Sequence, residues 1–152
     1  LILEAYTPDS LKAKGGGTPL MIFQSMHFGP EFINFSRQDP KNKENVDNFV
    51  WTPNTGWQGP KIVKLSGGGK LEDNLFNIDD VNWDAIPVFI AETEKLAKEN
   101  GIEKASLGSS IMINFNVRKQ TLSFSATVKG ERKDAYSTGD VQTGKVTNFR
   151  VK

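Results

Sequence analysis

The stretch N-I-D-D-V-N-W-D-A-I-P-V-F-I-A-E-T-E-K-L-A-K-E-N-G, residues 77–101, decides how the rest of the chain is read. Ile86, Phe89, Ile90, Thr93, Leu96 and Ala97 recur at the three- and four-residue spacing of one helical face. This spacing predicts a helix over about residues 84–100. Asp84 or Asn82 can accept hydrogen bonds from the N–H groups of the first turn. Pro87 falls near that turn, where a missing N–H costs little. Gly101 is placed to take the left-handed conformation that ends a helix. Acids gather early (Asp79, Asp80, Asp84) and lysines late (Lys95, Lys98), as the helix dipole favours. Glu92, Glu94, Lys95, Lys98 and Glu99 form a solvated face. A helix with one apolar stripe has to bury it, and the segments around this one read mostly as strands.

Upstream, Leu1-Ile2-Leu3 opens the chain without a Met, which reads as a processed N terminus. Thr7-Pro8-Asp9-Ser10 predicts a short helix that Gly15-Gly16-Gly17 ends. Strands follow at Thr18–Phe28 and Glu31–Gln38, turned by Gly29-Pro30, with Gln24 interrupting the apolar face of the first. A third strand runs over Asp47–Thr52 and a fourth over Trp57–Leu65, separated by the Pro53-Asn54-Thr55-Gly56 turn. Ser66–Lys70 is a glycine-rich connector. Downstream of the helix, Ser109–Arg118 and Thr121–Lys129 alternate apolar and polar residues. Ala135–Thr138 and Lys145–Val151 supply the last two strands.

The order of elements repeats. L-M-I-F-Q-S-M-H-F (20–28) parallels I-M-I-N-F-N-V-R-K (111–119), and G-P-K-I-V-K-L (59–65) parallels the segment ending K-V-T-N-F-R-V (145–151). The expected fold is therefore α+β: two similar halves, each a helix packed on a four-stranded antiparallel sheet. The first half spans residues 1–70 with a short helix, and the second spans 71–152.

With the helix Asp84–Asn100 followed by I-M-I-N-F-N-V, L-S-F-S-A-T-V, A-Y-S-T and K-V-T-N-F-R-V, this layout resembles β-lactamase inhibitory protein and PepSY-like bacterial domains. The turn D-V-Q-T-G-K-V (140–146) before the closing strand is similar to one in PepSY-like repeats. The resemblance implies an extracytoplasmic binding or inhibitory module, in the periplasm or at the cell surface and often lipid-anchored. The chain departs from the inhibitory protein in having no cysteine, where that family is disulfide-bonded.

Composition narrows the functional classes. Net charge is +1, with eight acids and eight bases in residues 1–76 and ten acids and eleven bases in 77–152. Neither half is a basic platform, so nucleic-acid binding by counterion release is not expected. No run is apolar and long enough to span a bilayer as a helix, so any membrane association would run through a lipid anchor. Without cysteine there is no disulfide, thiolate zinc site or cysteine nucleophile. His27 is the only histidine and reads as a structural or surface residue within a strand. Gly67-Gly68-Gly69-Lys70 lacks the spacing of a phosphate loop. Glu72-Asp73 and Asp79-Asp80 lack that of a calcium loop. No catalytic residue, metal site or cofactor is expected.

The aromatic residues Phe32, Phe35, Phe49, Trp51 and Trp57 crowd three strands of the first half. They predict either core packing or a platform for a protein or carbohydrate partner. The expected function is non-enzymatic binding of a protein partner by a bacterial lipoprotein ectodomain. The alternative is a small-ligand pocket protein or a cone-shaped enzyme of the ketosteroid-isomerase kind, with a cavity lined by Phe23, Phe28, Phe35 and Phe115.

Overall fold

The computed structural model describes residues 19–152, without the side chains of residues 108–110. The short helix expected near Thr7–Lys14 lies outside the described residues. The chain divides into two compact units. One takes the residues up to Val81 together with Phe115–Thr121, and the other takes Asn82–Asn114 and Leu122–Lys152.

The first unit is an antiparallel meander of β1 (Met21–Phe28), β2 (Ile33–Gln38), β3 (Val46–Thr52) and β4 (Gly56–Ile62), in the order β4-β3-β2-β1. A short fifth strand, β5 (Leu75–Asn77), returns to pair with Met21–Phe23. Register assigns the faces. Phe28 opposes Ile33, which opposes Trp51, which opposes Trp57. Met26, Phe35 and Phe49 form the next row, and Ile22, Arg37 and Asp47 the one after. Ile22, Met26, Phe28, Ile33 and Phe35 are buried, so these rows make the core face. His27, Asn34, Ser36 and Asn48 point the other way, as the two-residue period of a strand requires.

β1 carries an irregularity. Ile22 opposes Arg37 and Met26 opposes Phe35, so three residues of β1 lie against one of β2. The two surplus residues sit around Gln24, whose φ of 61° is in the left-handed region. An even surplus leaves parity intact, which is why Leu20, Ile22, Met26 and Phe28 are all buried.

The second unit holds the only α-helix among the described residues, α1 (Ala85–Glu99). Its strands are β6 (Ser106–Asn116), β7 (Thr121–Lys129), β8 (Ala135–Gly139) and β9 (Val146–Val151), in the order β6-β7-β8-β9. The last two residues of β6 and the first of β7 count with the first unit. Ala85, Ile86, Phe89, Thr93 and Ala97 of α1 are buried. Phe89 packs on Phe124 of β7, with ring centroids 5.5 Å apart. Farther along, Ala97, Ile102, Val128 and Ala135 form one cluster, edged by Leu107 and Phe149. Within this apolar layer Thr93 and Ser137 join hydroxyls at 2.9 Å. Each thereby satisfies a polar group that would otherwise be costly to bury.

The helix ends as its sequence predicts. Gly101 has φ +67°, its N–H donates to Lys98 O, and Ile102 N–H donates to Ala97 O. These two bonds close a Schellman motif. At the helix start the structure selects one of the two candidates, Asn82. Asp84 makes no side-chain capping bond. Instead Asn82 Oδ1 accepts the Asp84 N–H at 3.2 Å, and Asn82 Nδ2 donates to Gln142 O at 2.8 Å. Asp79 and Asp80 lie before the helix, in a short 3-10 turn where Asn77 Oδ1 accepts the Asp79 N–H.

The expectation of two similar halves, each a helix on a four-stranded sheet, is corrected here. The described chain is mostly antiparallel sheet with one helix. The described part of the first unit contains strands and 3-10 turns only, and β1 takes a partner, β5, that the repeat did not contain. The physical reason is visible in Leu75–Asn77. Leu75 and Phe76 are buried as strand residues, whereas the sequence reading assigned no strand between residue 70 and the helix.

Candidate functional site

The β3–β4 hairpin positions the aromatic residues singled out from the sequence. Trp51 and Trp57 face each other directly across the two strands, and both are half-buried. The hairpin turn places them close to its end, because Thr52 pairs with Gly56. Gly56 itself has φ +64°, a conformation that L-residues avoid. Beneath the tryptophans, Phe35 and Phe49 stack at 5.7 Å with their planes 22° apart. Trp57 meets Phe35 edge-on, also at 5.7 Å. Such ring pairs contribute about 0.5–1.5 kcal/mol beyond area burial, so they fix the indole of Trp57 in place.

The five residues do not form one flat surface. Phe35 is 2% exposed and serves as the floor. Phe49, Trp51 and Trp57 sit half-buried above it. Phe32 precedes β2, where its carbonyl accepts the Gly29 N–H at the β1–β2 turn. It belongs to the opposite end of the alternation from Ile33 and Phe35.

β4 bends just past this cluster. Between Val50/Gln58 and Asn48/Lys61 it carries one more residue than β3, at Gly59-Pro60. A Cβ on Gly59 would lie 2.6 Å from Asn48 O and 3.2 Å from the Phe49 ring, so only glycine fits against β3 there. The bulge exchanges the faces of β4. Ile62 therefore opposes Asp47 on the same face, yet in the last strand of this order it stands 86% exposed.

Charged and polar groups of the first unit were less visible in the sequence. Arg37 is 2% exposed, and its Nε donates to Gln38 O at 3.0 Å. Burial pulls its pKa down, while the Asp39 and Asp47 carboxylates push it back up. The only sequence signal was an arginine at an inward position, with two acids nearby. On the other face, Asn48 Nδ2 donates to Asn34 Oδ1 (2.8 Å), Ser36 Oγ (3.0 Å) and Phe35 O (3.0 Å). His27 lies 3.2 Å from Ser25 Oγ, and burial lowers its pKa. No carboxylate is among its recorded hydrogen-bond partners.

Three partly enclosed hollows are formed by described residues. One of about 170 Å³ lies between Phe23, Gln24, Leu65 and the Gly67–Gly69 loop. One of about 300 Å³ runs along Val46, Ile62 and Leu65, and one of about 320 Å³ is lined by Gly101, Glu103, Arg132 and Lys133. None of these three brings Phe23, Phe28, Phe35 and Phe115 together. Phe28 and Phe35 are buried, and Phe115 packs on Phe76 at 5.8 Å. Among the described residues no cluster of three or more His, Asp or Glu is arranged to hold a metal ion. No described helix is long and apolar enough to cross a membrane.

Among curated proteins the chain is similar to the Probable lipoprotein EnvF of Salmonella typhimurium. The two are 29% identical over 117 residues, covering 71% of this chain and 44% of that protein. The chain thus spans less than half the length of that relative. No family model matches the chain, and no solved structure matches it. The resemblance to PepSY-like domains gains no support from either comparison.

Proposed function

We propose that this chain is a non-enzymatic binding domain of a bacterial envelope lipoprotein, and that a protein partner docks on the β3–β4 hairpin. The observation that carries the proposal is the Trp51–Trp57 pair, held partly exposed across the hairpin over a fixed aromatic floor. Large, rigid, amphipathic side chains that lose little entropy on binding dominate protein interfaces. Their partial exposure leaves apolar surface for a partner to cover. Similarity to a probable lipoprotein supports an envelope location, at the periplasm or cell surface, and a lipid anchor for the whole protein.

The test places a photo-reactive side chain at position 51 or 57 of the full-length protein in living cells. The expected result is a crosslink to one defined envelope protein, with no such product from the same group at exposed Lys119. Crosslinks equal at all three positions, or none at 51 and 57, overturn the docking surface. Absence of lipid labelling, with recovery in the soluble fraction, overturns the lipoprotein assignment.

A further inference from the structure

We infer that the outer edge of β9 is a second interaction surface, which takes an extended acidic segment of a partner protein as an added strand. The inference is independent of the tryptophan pair, which lies in the other unit. Among the described residues β9 pairs with β8 alone. Lys152 N–H donates to Asp134 O at 2.8 Å, which makes Lys152 a residue whose backbone faces β8. In an antiparallel ladder this orientation recurs every second residue. Arg150 and Asn148 therefore face β8 too, and Phe149 and Val151 direct N–H and C=O outward.

The other end of this edge is closed. Val146 N–H donates to Glu92 Oε2 of α1 at 3.1 Å, so the helix supplies the partner that a neighbouring strand would otherwise provide. From Asn148 to Val151 no such closure is found among the described residues. Exposed strand edges are ordinarily blunted by proline, bulges, a covering element or charged side chains, the last of which repel a like-charged strand and admit one of opposite charge. β4, last in the order of its own unit, has the first two: Pro60 lacks an N–H and sits in a bulge. β9 bulges once, at Thr147 between Val146 and Asn148, which is why Val146 N–H can face outward; the remaining run N-F-R-V is free of glycine, proline and further register shifts.

Charge selects the occupant. Lys145, Arg150 and Lys152 lie in or beside β9 and are exposed. From Leu122 to the last residue there are six basic residues and three acids. The acids are engaged: Asp134 with Lys129 at 2.7 Å, Glu131 with Lys104 at 3.3 Å, and Asp140 with its own loop. A second copy pairing β9 to β9 would set two rows of cations side by side, which is unfavourable. An extended strand with alternate carboxylates matches both the backbone and the charge.

The probes are three peptides of about ten residues, long enough for one strand. One alternates threonine or valine with glutamate, one replaces glutamate by lysine, and one is the glutamate peptide N-methylated at alternate positions. Binding is followed by amide chemical shifts of the ¹⁵N-labelled protein. The glutamate peptide is expected to shift Phe149 and Val151, and the other two are not. Arg150→Glu with Lys152→Glu should weaken it about tenfold or more. Val151→Pro removes one outward N–H and should weaken it with unshifted amides elsewhere. Replacing Trp51 and Trp57 by alanine should leave it unchanged. No shifts on β9, equal binding of the N-methylated peptide, or self-association of the protein through β9 overturns the inference.

Discussion

Replacing Gly139 by alanine should destabilise the second unit through a single contact. Gly139 lies in β8 directly under the ring of Phe89. A Cβ built on it meets Phe89 Cε2 at 2.8 Å, Cδ2 closer still, and Lys145 O at 3.2 Å. Ordinary carbon–carbon contact is about 3.5–4.0 Å, so the overlap is most of an ångström. The ring has little freedom to retreat, because Phe89 is fully buried and packs on Phe124 at 5.5 Å. Overpacking of this kind costs about 1–3 kcal/mol. For a chain of this length each kcal/mol lowers Tm by roughly 2–4 °C, giving a loss of roughly 2–12 °C. Circular dichroism melting measures it. Phe89→Leu on the Gly139→Ala background should cost less than it does on the native background, because the smaller side chain relieves the overlap. The opposite sign is available from general chemistry: Gly→Ala without strain stabilises by about 0.4–1 kcal/mol through the unfolded chain. An unchanged or raised Tm, or strict additivity of the two substitutions, refutes the packing argument.

Thr93→Val and Ser137→Ala should each cost about 1–3 kcal/mol by leaving the partner hydroxyl buried and unsatisfied. The double variant should cost clearly less than their sum in a denaturant-melting cycle. Gly101→Ala forces a side chain into φ +67° and should cost about 1–2 kcal/mol, seen as a lower denaturation midpoint. Arg37→Ala removes a buried cation and the volume it fills, and should cost about 2–4 kcal/mol. His27 has its folded pKa held below the unfolded value of about 6.5. The unfolded chain therefore binds the proton first. The contribution of neutral His27 is fully present above about pH 6.5 and fades as pH falls through the lower folded value. His27→Gln should flatten the stability profile between about pH 7 and 5, and an NMR titration of the ring should place its midpoint below 6.5.

Some of the fold was legible because its signals are local. The α1 C terminus could be read from Asn100-Gly101, since a left-handed residue there needs glycine. The limits of β7 followed from clean alternation bounded by Lys119-Gln120 and Gly130. Other features depend on partners distant in sequence. Leu75–Asn77 is too short to show a period, and becomes a strand only because Met21–Phe23 lies beside it. Asn82, rather than Asp84, organises the helix entry because its amide also reaches Gln142, sixty residues away. The aromatic cluster was legible as a set of residue types. Its division into a buried floor at Phe35 and half-buried rings at Phe49, Trp51 and Trp57 was not. That division comes from strand register and from the single-residue surplus at Gly59-Pro60. Buried Arg37 was missed for the same reason: its counter-charge at Asp47 lies across a strand pair.

The surplus of two residues around Gln24 bears on how this strand can change in evolution. Deleting both would restore an unbroken ladder with every inward side chain still inward. Deleting or adding one would turn the whole of Ser25–Phe28 over, carrying Met26 and Phe28 into water and His27 into the apolar layer. Length variation here is thus quantised. Related sequences aligned across Phe23–Ser25 should differ by none or by two residues. A relative differing by one should carry a compensating single insertion or deletion before Phe28, or an inverted polarity pattern along the rest of the strand.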